Sequence, residues 1–91
     1  MNIFQRRQKT AEMNKKVYDA VKSGKADANI RFADFRNLLI DLGFERRRQE
    51  SSHLMYYNRS INEFMNIQEK DGKAKDYQVR QLRKIIKKHN L

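Results

Sequence analysis

The chain has no cysteine, no proline and no tryptophan, and only three glycines among its 91 residues. Without cysteine there is no disulfide, no thiolate metal ligand and no thiol nucleophile, and nothing that points to an oxidising compartment. Long apolar runs are also missing. No segment approaches the roughly 20 apolar residues that cross a bilayer. The start, Met1-Asn2-Ile3-Phe4-Gln5-Arg6-Arg7-Gln8-Lys9, has basic residues but no apolar stretch behind them of the kind a secretory leader needs. The expectation is a soluble, cytoplasmic protein. The two histidines and the scattered carboxylates show no metal-ligand spacing, and Glu69 to Lys73 lacks the oxygen-rich pattern of a calcium loop. There is no glycine-rich phosphate cradle and no nucleophile elbow, so neither a cofactor nor a metal is expected.

Positive charge is what the chain has in excess. Lys and Arg number 21 against 11 Asp and Glu, a formal net charge of +10. With 38% hydrophobic residues and a mean hydropathy of -1.02, one small domain would bury a modest core, roughly 60 to 65% of its unfolded surface. Deep small-molecule pockets are not expected of it. The cations are spread along the chain, which suits a folded surface meeting phosphate along a broad face. A membrane surface fits less well, because no basic helix also carries a broad apolar or aromatic face. Plain solvation is the ordinary alternative, and an acidic protein is another partner such a surface would accept.

The glycines divide the chain. Thr10 to Ser23 reads as a helix with Met13, Val17, Ala20 and Val21 on one stripe and Gly24 just past its end. Lys25 to Asn29 follows as a linker, so residues 1–29 form a basic tail with a helical extension and residues 30–91 the main domain. Phe32, Phe35, Leu38, Leu39 and Leu42 mark an amphipathic helix, with Asp34 in its first turn and Gly43 as its stop. After Gly43 the period changes, and Phe44 to Gln49, Ser52 to Tyr57 and Phe64 to Gln68 read as three antiparallel strands. Arg46-Arg47-Arg48 does not alternate. Asp71-Gly72 lies in a basic loop, and Asp76 opens a last helix with Val79, Leu82, Ile85 and Ile86 on one face. Arg80, Arg83, Lys84, Lys87 and Lys88 lie on its other face. The expected class is α+β: a three-stranded antiparallel sheet on two helices in the dsRBD-like order α-β-β-β-α, plus an extra N-terminal helix.

His53 is the one residue titrating near neutral pH inside a strand-like run, Ser51-Ser52-His53-Leu54-Met55-Tyr56-Tyr57. Alternation in a strand then makes a specific prediction. With Leu54 and Tyr56 under the helices, His53, Met55 and Tyr57 face the open side of the sheet. On the third strand Met65 and Ile67 point inward and Phe64, Asn66 and Gln68 outward. The result is a surface of imidazole, amides and aromatic rings on which unpaired bases could stack. An ordinary exposed strand histidine is the plain alternative for His53. Tyr56 and Tyr77 read as packing residues with polar tips, and His89 as a complement to the dipole of the last helix.

Several blocks carry a closer likeness: Leu42-Gly43-Phe44, Ser52-His53 followed by Tyr56, Asn66-Ile67-Gln68, and Ala74-Lys75 with Tyr77-Gln78-Val79-Arg80-Gln81. In these the chain resembles the HicA family of bacterial messenger-RNA-cleaving toxins over about residues 30–91. The resemblance implies the toxin of a type II toxin-antitoxin system, a metal-independent endoribonuclease (mRNA interferase) that arrests translation and is silenced by a HicB-like antitoxin. It puts the catalytic histidine at His53. The candidate RNA contacts around it are Arg47, Arg48, Ser52, Asn66, Gln68, Lys73 and Lys75, with phosphate affinity or solvation as the simpler role of the cations. The sequence departs from the family pattern at Ser51, where glycine is usual, at Leu54, where a second histidine is common, and at Asp76, where proline is frequent. A non-catalytic RNA-binding module on the same fold is the alternative.

Overall fold

The structure is a computed structural model that describes residues 15–50 and 53–91. The expected start of the first helix at Thr10, and Met13 with it, lie outside the described residues. Helix α1 covers residues 15–23 and ends at Gly24. It sends Val21 fully into the core. Its Tyr18 hydroxyl donates to the Leu91 carbonyl at 2.8 Å, which ties the first helix to the last residue. Just beyond it, Asp27 takes both Nη atoms of Arg83, at 3.0 and 2.9 Å, while Nη1 also donates to the Val21 carbonyl at 2.9 Å. This two-pronged bond holds the Asp27 carboxyl below the ordinary carboxylate range. It also takes Arg83 off the solvated basic face that helical periodicity assigns it.

Helix α2 (Phe32–Asp41) buries Phe32, Phe35, Leu38 and Leu39 at helical spacing. Its stop is a glycine for two reasons. Gly43 has a φ of +102°, where a side chain is strained. A Cβ there would also sit 3.1 Å from Asn58 Nδ2. Asn58 is buried, and it uses both ends of its amide: Nδ2 donates to the Leu42 carbonyl at 2.9 Å and Oδ1 accepts the Ser60 N–H at 3.1 Å. One side chain thus fastens the end of α2 to the turn between two strands.

The sheet contains β1 (Glu45–Glu50), β2 (His53–Asn58), β3 (Glu63–Lys70) and β4 (Lys73–Ala74), antiparallel and in that order. It therefore has four strands and not the three expected. The fourth arises from Asp71-Gly72, whose φ values of +53° and +78° suit the tight two-residue turn favoured by Asp-Gly. Lys70 and Lys73 pair across it. Bonds from Ala74 N–H to the Ile30 carbonyl and from Phe32 N–H to the Gly72 carbonyl, both 2.9 Å, tie this hairpin to the start of α2.

Helix α3 (Asp76–His89) buries Val79, Leu82, Ile85 and Ile86, which join Leu54, Tyr56, Met65 and Ile67 of the sheet in one core. At its end His89 Nε2 lies 2.8 Å from Glu63 Oε2 and Lys88 Nζ 3.3 Å from the same oxygen. These partners, His89 first, hold the Glu63 carboxyl below its ordinary range. His89 thus has a specific partner beyond the helix dipole. The class is α+β: the described residues form three helices and a four-stranded antiparallel sheet, and among them the second face of the sheet is uncovered. No helix of the described residues is long and apolar enough to cross a membrane.

Candidate nucleic-acid interface

Strand alternation sorts β2 as the sequence predicts. Leu54, Tyr56 and Asn58 are buried, His53 is exposed, and Met55 and Tyr57 are half-buried on the open face. On β3 Met65 and Ile67 are fully buried, and Phe64, Asn66 and Gln68 point the other way. The register aligns these residues in rows: His53 with Gln68, Met55 with Asn66, and Tyr57 with Phe64. Successive rows lie about 7 Å apart along the strands.

Strand β1 extends the rows through an irregularity. Arg46 pairs with Tyr56 but Arg48 with Met55, so Arg47 is an extra residue in a β-bulge. Two neighbours in a regular strand would face opposite sides. Here both Arg47 and Arg48 border the same hollow on the open face. The Arg47 guanidinium sits 5.7 Å from the centre of the Tyr57 ring, within cation–π range. The Tyr57 and Phe64 rings lie 4.4 Å apart at 31°. The failure of Arg46-Arg47-Arg48 to alternate is the sequence trace of this bulge.

The hollow is a shallow one, open to solvent, of about 820 Å³, with Met55 and Asn66 between the two arginines and the flank of α3. Phe64, Tyr77 and Gln81 complete its border. Tyr77 is 53% exposed, so it is not the packing residue expected. It stands one helical turn from Gln81 on the flank of α3, and aromatic character alone did not reveal that position. Tyr56 does pack, at 1% exposure, and burial pushes its hydroxyl pKa up, so it stays protonated at neutral pH.

The residue opposite His53 on β3 is held in place from α3 and the residue before it. That residue, Gln68, accepts at Oε1 from Lys75 Nζ at 2.6 Å. The Gln68 N–H donates to Gln78 Oε1 at 3.1 Å, and Gln78 Nε2 donates to the Asn66 carbonyl at 3.0 Å. Gln78 is only 2% exposed. Its amide serves β3 as a neighbouring strand would, just where the short β4 stops pairing. Gln78 belongs to the Tyr77-Gln78-Val79-Arg80-Gln81 block, in which the sequence alone assigns it no role. A polar residue in an otherwise apolar helix stripe is the signal that could have found it.

The expected RNA contacts therefore divide. Arg47, Arg48 and Asn66 share the first hollow. Gln68, Lys73 and Lys75 border a second one of about 790 Å³ at the Asp71-Gly72 hairpin. Lys73 Nζ donates to Asn29 Oδ1 at 3.2 Å. His53 lies in the row beside Met55 and Asn66 and borders neither hollow. Ser52 lies outside the described residues. Chemically, the face offers an exposed imidazole, two amides along β3, aromatic rings and arginine cations, the groups that bind phosphate and unpaired bases. Comparison with protein-family models, with curated proteins and with solved structures finds no match.

Proposed function

We propose that the protein is a metal-independent endoribonuclease acting on messenger RNA, the toxin of a type II toxin-antitoxin pair held in check by a HicB-like protein in the cytoplasm. The observation that carries this is the exposed His53 at the start of β2, opposite a Gln68 that Lys75 holds, on a face that also presents Arg47 and Arg48. The HicA-like residue blocks support it. So does the order α2, β1, β2, β3, α3, the one expected of a dsRBD-like arrangement, to which β4 adds a short strand.

In this reading His53 takes the proton from a ribose 2′-hydroxyl or returns one to the leaving oxygen, with water supplying the complementary transfer. The attack forms the bond from the 2′ oxygen to phosphorus and breaks the bond to the 5′ oxygen, leaving a cyclic phosphate. Lys75, bonded to the Gln68 side chain opposite His53, would offset charge growing on the phosphorane. The test is purified wild type against His53→Ala on messenger RNA, with EDTA present. The expected result is cleavage by the wild type and a loss of about a hundredfold to ten-thousandfold in the variant. Equal cleavage by both would remove His53 from the chemistry. RNA binding by both with cleavage by neither would make the protein a binding module, a role that Phe64 and Tyr77, exposed and away from His53, also suit.

A further inference from the structure

We propose that the hollow beside the His53 row is a subsite for one unpaired nucleobase of single-stranded RNA, stacked on Phe64 and read at its edge by Asn66. This rests on RNA being the substrate and adds how the strand is gripped next to the reacting phosphate.

Phe64 and Tyr77 are 56% and 53% exposed, although both are large rings whose burial would stabilise the fold. Both border one hollow. Phe64 is already braced there: its ring leans on Tyr57 at 4.4 Å, and Arg47 covers Tyr57 from the next strand. The three side chains form a stack assembled in advance, with an aromatic ring still open to a partner. A base added to it gains stacking without first ordering the protein. Asn66, exposed between Phe64 and the Gln68 row, offers an amide donor and acceptor of the kind that pairs with a base edge.

Charge and spacing select the occupant. Arg47 and Arg48 border the hollow and favour a ligand that carries phosphate beside its ring. The Met55–Asn66 row is one pleat repeat from the His53–Gln68 row and the Tyr57–Phe64 row two, about 7 and 14 Å. A strand with its scissile phosphate at His53 would therefore lay a neighbouring base over Asn66 and Phe64. Glu45, paired with Tyr57, places a carboxylate residue at the far end of the strip. A duplex keeps its bases stacked on one another and could not present one here.

The experiment uses the full chain and short fluorescein-labelled 2′-O-methyl oligoadenylate and oligouridylate, which lack the attacking hydroxyl, with an abasic phosphodiester of equal length. Wild type is expected to bind the base-bearing strands more tightly than the abasic one. Phe64→Ala should weaken the base-bearing strands by about 5- to 100-fold and leave the abasic strand unchanged, while Phe64→Trp keeps tight binding. Asn66→Ala should shrink the difference between adenine and uracil. Phe64 is exposed, and circular dichroism will show whether the variant stays folded. Oligonucleotide binding that ignores Phe64→Ala, or an equal loss on the abasic strand, overturns the subsite but leaves RNA binding standing. If wild type binds no oligonucleotide and instead binds poly-glutamate through Phe64, the subsite and the RNA reading both fall, in favour of an acidic protein partner.

Discussion

Replacing Gln78 by methionine isolates one amide with a defined task. The two side chains are similar in length and volume, so no cavity should open and the packing of α3 should survive. Two bonds to the β3 backbone are lost, at 3.1 Å from the Gln68 N–H and at 3.0 Å to the Asn66 carbonyl, together with a longer one of 3.4 Å to the Tyr77 hydroxyl. Gln78 is 2% exposed, so water cannot readily take its place. A made hydrogen bond contributes about 0.5–1.5 kcal/mol net, and a buried polar group left unpaired costs about 1–3 kcal/mol. Asn66 is exposed and Gln68 half-buried, which favours the lower end of that range, about 2–3 kcal/mol for the two groups together. A chain of this length has roughly 5–13 kcal/mol in total. Urea unfolding followed by circular dichroism should show a lower midpoint at unchanged slope, and melting should fall by roughly 10–20 °C. Hydrogen exchange at the Gln68 amide should rise more than at Ile67. Because Gln68 faces His53, RNA cleavage should fall further than the unfolded fraction explains. A Gln78→Met protein as stable as wild type, with Gln68 equally protected, would refute the claim that this amide completes the edge of β3.

Asp27→Asn is expected to cost about 1–2 kcal/mol at neutral pH, since hydrogen bonds to charged groups contribute about 1.5–3 kcal/mol and this pair is partly exposed. The Asp27 carboxyl is lowered in the folded state, so its contribution is present above the ordinary carboxylate value near 4 and is lost as pH falls through the folded value. Urea titrations at several pH values should show the gap between variant and wild type closing in acid. Gly43→Ala should cost about 2 kcal/mol, read as a melting point lower by roughly 8–16 °C, because the backbone at φ +102° and the Asn58 amide both oppose a Cβ. Arg47→Gln should reduce the salt dependence of RNA binding by about 0.7 in log–log slope, the contribution of one phosphate on a single strand. Anisotropy measured across salt concentrations checks this.

The parts of the fold legible in the sequence are those where a periodic apolar pattern meets a single buried face. The stripes of α2 and α3 and the alternation along β2 and β3 are of this kind, and residue by residue they separate His53, Met55 and Tyr57 from Leu54 and Tyr56. The features that stayed hidden have no periodicity of their own. Strand β4 is two residues long, and its Lys73 and the Lys70 it pairs with are both polar, so only the Asp-Gly turn announces it. The Asp27–Arg83 pair joins residues 56 apart in the chain, which no local rule foresees. Tyr77 has the composition of a packing residue, but its place on the helix flank leaves it uncovered, a matter of tertiary geometry.

The bulge in β1 shows how one irregularity serves both fold and site. Strand β1 lies at the edge of the sheet, where unpaired backbone invites another chain. Charges and a bulge are the usual defences of such an edge, and Arg46-Arg47-Arg48 supplies both. Pairing is regular on either side, Arg46 with Tyr56 and Arg48 with Met55, so Arg47 is inserted without shifting the buried face. What the insertion changes is the open face, which gains two neighbouring cations where alternation would place one. The same residue then braces Tyr57, and through it Phe64. An edge-protecting device and the cationic rim of the proposed base subsite are thus one structural feature, and a mutation that removes Arg47 acts on both.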